Sequence, residues 1–186
     1  MSDPRFPIGP FTFDPARAES ERAPRIAALA EAPIALRVAL RAARRRGLDT
    51  PYRTGGWTVR QVVHHLADSH LHAFVRCKTA LTERQPVIHT YHEERWAELA
   101  DARLAPAEAS VALLDALHAR WVVLLRSLEP CDFARTVWLP RSGLSTIDEM
   151  LALYAWHGRH HVAQIAALAR RPARHCEPRV PTGSPD

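Results

Sequence analysis

The segment Trp156-His157-Gly158-Arg159-His160-His161 sets two imidazoles, those of His157 and His161, one helical turn apart. Residues i and i+4 of a helix share a face, so both side chains can reach one ion. That face continues as Met150, Tyr154, Ile165 and Leu168, an apolar stripe that a bundle would bury. Imidazoles aimed into a core need partners, because an unsatisfied buried polar group costs free energy. A divalent metal satisfies both at once. The pattern is not the metalloprotease HExxH motif, since Gly158 stands where the general-base Glu belongs, so a third ligand has to come from elsewhere. Residues 58–83 offer His64 and His65. His64 shares a face with Arg60 and Asp68 and reads as solvated, whereas His65 flanks Val62 and Leu66 and can reach the interior. His65, His157 and His161 make a three-histidine set with an open position, the ligand count of a catalytic zinc-type site. Asp68 can orient an imidazole or form a surface ion pair. The competing reading treats these as structural histidines bonded to backbone or to Tyr154, with His160 a rival ligand three residues from His157. Spacing leaves both readings open.

A three-histidine ion with an open position lowers the pKa of bound water towards about 7, which suits hydrolysis. It can equally deprotonate a thiol for attack on an electrophile. Ser69, His72 and Arg76 follow His65 by 4, 7 and 11 residues and return to its face, so they are the candidate catalytic side chains. Arg76 is the candidate for holding an anionic substrate group. No Asp or Glu stands out as an obligatory general base. A third class, a non-catalytic metal-stabilised binding module, would fill the open position with a protein ligand.

Prolines indicate the elements that must position these groups. Of 15, five lie at or before Pro24 and four at or after Pro172, leaving Pro33, Pro51, Pro86, Pro106, Pro130 and Pro140 as punctuation. Between them the spacing predicts helices over 33–46 (with a lead-in at 25–30), 58–83, 106–128 and 147–169. Thr58 and Gln61 form a capping box for the second, and Ser145 with Asp148 three residues on caps the fourth. A short helix is expected at 93–99 and a strand-like stretch only at 136–139. The expected fold is all-α, a four-helix bundle with one longer crossover over 25–170. An extended N-terminal segment, 1–24, precedes it, and a poorly ordered Pro-rich tail, 171–186, follows.

Composition removes other classes. Seven glycines include no GxGxxG or GxxxxGK[ST], so nucleotide-cradling loops are out. Cys77, Cys131 and Cys176 form no CxxC, which excludes a zinc ribbon and suits a reducing, cytoplasmic setting. No apolar run is of membrane-spanning length, and residues 1–10 have no signal-peptide core. The net charge is +5, and Lys78 is the single lysine among 25 basic residues. Apart from Arg41, Arg44, Arg45 and Arg46 the arginines are dispersed, so no nucleic-acid partner is expected.

Several longer stretches carry a resemblance. Residues 49–70, from Asp49 through Trp57 and His65 to His70, closely resemble the YfiT family in the DinB-like superfamily of four-helix metalloproteins. So do residues 76–83, 117–122 and 154–161. The resemblance implies one zinc or nickel ion per subunit, held by three histidines in a homodimer, with the ligands falling on His65, His157 and His161. It also implies metal-dependent hydrolysis of a small-molecule substrate or, as in relatives, transfer of a low-molecular-weight thiol such as bacillithiol, mycothiol or glutathione. Two stretches depart from the family pattern: Tyr91-His92-Glu93 stands where Tyr-Asp-Glu is common, and Leu139-Pro140-Arg141 where His-Pro-Glu is common.

Overall fold

A computed structural model describes residues 3–140 and 142–171. Arg141 and the expected tail beyond Arg171 lie outside them. Four long helices dominate: α1 (Ala18–Ala43), α2 (Val59–Thr82), α5 (Ala107–Arg126) and α6 (Ile147–Arg170). Two short ones, α3 (Glu93–Trp96) and α4 (Ala100–Leu104), lie between α2 and α5. A hairpin of β1 (Thr136–Leu139) and β2 (Gly143–Thr146) leads into α6.

Helix α1 departs most from expectation. It begins at Ala18, inside the segment expected to be extended, and runs unbroken through both Pro24 and Pro33. A proline removes the N–H that would bond the carbonyl four residues back, so Pro33 orphans the Leu29 carbonyl. Leu29 is completely buried, yet that carbonyl has a partner, His118 Nδ1 at 2.6 Å. An interior proline is tolerated here because a distant side chain replaces the lost donor.

The other helices start near their expected positions. The capping box of α2 is formed: Thr58 Oγ1 accepts from the Gln61 N–H at 3.2 Å, and Gln61 Oε1 accepts from the Thr58 N–H at 2.9 Å. Helix α6 is capped one residue later than expected. Thr146 Oγ1 accepts from the Glu149 N–H at 3.1 Å, whereas Ser145 is buried in the hairpin opposite Val137. Asp148 is not a capping partner but receives two bonds from Arg22, Nε to Oδ1 at 2.9 Å and Nη2 to Oδ2 at 2.7 Å. This pair ties the start of α6 to that of α1. The expected strand at 136–139 exists, and β2 pairs with it although its sequence carries no alternating apolar pattern.

Helix α1 packs on α5 and α6, and α2 packs on the same two, so the chain neighbours α1 and α2 face each other across the bundle. Two apolar cores result. One gathers Phe74, Trp121, Leu125, Phe133, Ile147 and Leu151; the other gathers Leu36, Val59, Val63, Leu114, Ile165 and Leu168. Between them every long helix meets a layer of imidazoles, with His65 and His70 from α2, His118 from α5, and His157 and His161 from α6. Among the described residues no helix is long and apolar enough to cross a membrane.

Candidate metal centre

Three imidazoles of this layer converge. His157 Nε2 lies 3.2 Å from His65 Nε2 and 3.1 Å from His161 Nε2. One nitrogen from each ring falls within 4.8 Å of the others, the arrangement needed to surround one ion. His65 and His161 are buried, and His157 keeps part of its surface open. Trp57 packs against His65 with ring centres 4.7 Å apart, and Tyr154 packs edge-on to His157 at 5.8 Å.

The chemistry of the donor set fits a cation. Gln164 Nε2 sits 3.1 Å from the Arg5 carbonyl, to which only an amide N–H can donate, so Gln164 Oε1 faces His161. That oxygen lies 2.8 Å from His161 Nδ1, which therefore carries the proton. His161 Nε2 is left as a bare lone pair aimed at the other two nitrogens. A cation satisfies all three at once.

Burial holds these rings neutral. It pushes His65 down to about 4 and His161 down to about 3, the latter also through nearby His65, with the Gln164 bond opposing. His157 is held well below the ordinary value by burial and then by His161, His65 and His70 around it. Neutral imidazoles are the form that binds metal. One consequence concerns the metal-free protein. A histidine whose folded pKa is depressed stabilises fully above its unfolded value near 6.5 and loses that contribution as pH falls towards the folded value. Urea unfolding of the metal-free chain should therefore lose about 3 kcal/mol from His65 alone between pH 6.5 and 4. A flat profile across that window rules out buried neutral imidazoles.

Residues 28–165 match the profile of the DinB superfamily. A protein of Bacillus mycoides named "Putative metal-dependent hydrolase" is 48% identical over 171 residues, covering 92% of this chain and 98% of that one. One of Bacillus cereus strain B4264 with the same description is 47% identical over the same coverage. Among solved structures, YfiT from Bacillus subtilis matches with a TM-score of 0.86 at 42% identity, covering 91% of this chain and 97% of that one. It is described as a "probable metal-dependent hydrolase with an unusual four-helix bundle topology". The chain belongs to the DinB superfamily.

Within this superfamily bundle the remaining candidates take distinct places. His64 is not solvated: it is buried, with Nδ1 2.7 Å from Ser110 Oγ and Nε2 3.2 Å from the Ala105 carbonyl, tying α2 to α5. Burial and the nearby Asp101 carboxylate raise the pKa of Asp68, and Asp68 makes no hydrogen bond to His65. His160 holds its Nε2 3.0 Å from Gln164 Nε2 and stacks on Trp156, its Nδ1 is buried without a hydrogen-bond partner, and it does not join the converging set. His92 is exposed at the start of α3. Gly158 faces Ala32 of α1, so the general-base position of HExxH is turned away from the trio.

Ser69, His72 and Arg76 lie along α2 on the side where Tyr91 and Tyr154 enclose it. Arg76 Nη1 donates to Tyr154 Oη at 3.3 Å, while Arg76 Nε and Tyr91 Oη are buried without a hydrogen-bond partner. His72 stacks on Tyr91 at 4.4 Å. Burial raises both tyrosine pKa values, so each keeps its proton as a donor. His161 borders a cleft of about 620 Å³ that is also lined by Arg53, Trp57, Glu94, Glu98 and the N-terminal residues Arg5 and Phe6. Glu94, Glu98 and Gln164 were not singled out by spacing. Gln164 follows His161 by three residues and carried a usable signal, whereas the two glutamates come from the connection between α2 and α5 and carried none. Cys77 is buried, its thiol pushed up to about 11, and serves as packing.

Proposed function

We propose that this chain is a metal-dependent hydrolase of a small-molecule substrate, with zinc or nickel held by His65, His157 and His161. The observation that carries this reading is the convergence of three neutral imidazole nitrogens within 4.8 Å beside an open cleft. A divalent ion there supplies Lewis acidity and lowers the pKa of whatever binds it. The chain's own residues supply the rest. Trp57 and Tyr154 wall the trio and limit water. Arg76, with Nη1 on Tyr154 Oη and a buried Nε that has no partner, is the group proposed to hold an anionic part of the substrate. Glu94 and Glu98 border the cleft as proton acceptors.

A second reading, transfer of a low-molecular-weight thiol to an electrophile, is favoured by one observation. The converging set holds three histidines and no carboxylate to act as a general base, and a thiol held at the metal needs none. Assays on metal-loaded protein separate the two. Metal-dependent turnover of esters or amides supports hydrolysis. Conjugation of a small thiol to a chlorinated or epoxide acceptor, with no ester or amide turnover, rejects it in favour of transfer. For the accepted reaction, Arg76→Ala is expected to raise KM about 10–100-fold for anionic substrates and to leave neutral ones unchanged, the scale of one charge-assisted bond. An equal effect on both substrate types removes Arg76 from substrate binding.

A further inference from the structure

Behind His157 the imidazole layer continues away from the cleft. His157 Nδ1 lies 3.2 Å from His70 Nε2, His70 Nδ1 lies 2.9 Å from His118 Nε2, and His118 Nδ1 lies 2.6 Å from the Leu29 carbonyl. His70 and His118 are almost completely buried, at 1% and 2% exposure, and stack with ring centres 4.9 Å apart. The chain of contacts runs from α6 through α2 and α5 to α1, and it ends on a group that can only accept.

That end decides every proton position. A carbonyl has no proton to give, so His118 must carry its hydrogen on Nδ1. A neutral imidazole has one N–H, which leaves His118 Nε2 bare and requires His70 to donate from Nδ1. His70 Nε2 is then bare in turn, and His157 must donate from Nδ1. Its Nε2 is left as a lone pair facing His65 and His161. Reversing the direction would set the His118 Nδ1 lone pair against the Leu29 carbonyl oxygen at 2.6 Å. The Leu29 carbonyl is available because residue 33 is proline and gives it no helical donor.

We propose that the Leu29 carbonyl, His118 and His70 set the tautomer of His157 and hold its Nε2 lone pair towards the metal position. His118 and His70 are thus positioning residues for a metal ligand, and Pro33 is the feature of α1 that frees the end of the chain. The inference rests on the reading of His157 as a ligand. It parallels the role of Gln164 Oε1 behind His161, so two ligands of the trio have their orientation set from behind.

Two measurements test it. Nitrogen-15 NMR of histidine-labelled, metal-free wild type near pH 7.5 is expected to show Nδ1–H tautomers at His157, His70 and His118. An Nε2–H tautomer at any of the three overturns the proposal. The second compares His118→Gln with His118→Met by competition for zinc and nickel against a chromogenic chelator. Glutamine keeps an N–H for Leu29 and an oxygen for His70, whereas methionine keeps neither. The methionine variant should bind about 10–100-fold more weakly and the glutamine variant close to wild type. Wild-type affinity in the methionine variant, or equal losses in both, overturns the proposal. Should the methionine variant fail to fold, the wild-type tautomers decide alone. Wild type that binds neither ion overturns the metal reading and this inference together.

Discussion

Protein purified without a histidine tag is expected to carry close to one divalent ion per chain, and the His157→Ala/His161→Ala variant none. The double substitution leaves His65 alone, and one monodentate nitrogen cannot hold an ion against water and buffer. His64→Ala is the control. His64 is adjacent in sequence to a proposed ligand and equally buried, but both its nitrogens are committed to Ser110 and Ala105, so its removal should leave the metal content unchanged. Added metal at about 100 times its dissociation constant should stabilise the metal-free wild type by about 2.7 kcal/mol. That corresponds to a rise in Tm of about 5–11 °C for a chain of this size. The double variant should show no shift. Wild type that is fully folded, metal-free and unmoved by zinc or nickel sinks the metal centre.

The trio was legible because its signals are local. The spacing of His157 and His161 is a property of one helix, and so is the apolar flank that turns His65 inward. Thr58 and Gln61 announced the start of α2 for the same reason: both halves of a capping box lie within four residues. Pro33 shows where such reasoning stops. Its place inside a helix depends on whether the carbonyl it orphans finds a donor, and that donor is His118, 89 residues away. His64 follows the same rule. Arg60 and Asp68 mark its face as polar, but Arg60 turns to Asp49 and to the Ala105 carbonyl, and α5 covers the histidine. Ser145 has a capping side chain, but the hairpin sets it opposite Val137 and Thr146 caps α6 instead. In each case a long-range partner overrides a sound local preference.

Trp121→Ala is expected to be the most damaging single core substitution, destabilising by about 3–5 kcal/mol. Trp121 is 1% exposed at the end of the core nearest the imidazole layer. Its ring meets His70 and His118 edge-on, both at 6.2 Å, and Tyr154 at 5.9 Å. Truncation removes apolar area and opens a cavity that helices fixed by Arg22–Asp148 and the hairpin can close only in part. Tm should fall by about 6–20 °C. Trp121→Phe keeps most of the buried area and an aromatic edge for His70, so its loss should be distinctly smaller. The second readout links core to site. With Trp121 gone, His70 and His118 lose the wall that holds their rings in register, and metal affinity should fall in the alanine variant more than in the phenylalanine variant. A large loss of stability with unchanged metal affinity would show that the layer holds its geometry without this wall, and that the contacts among the imidazoles alone suffice.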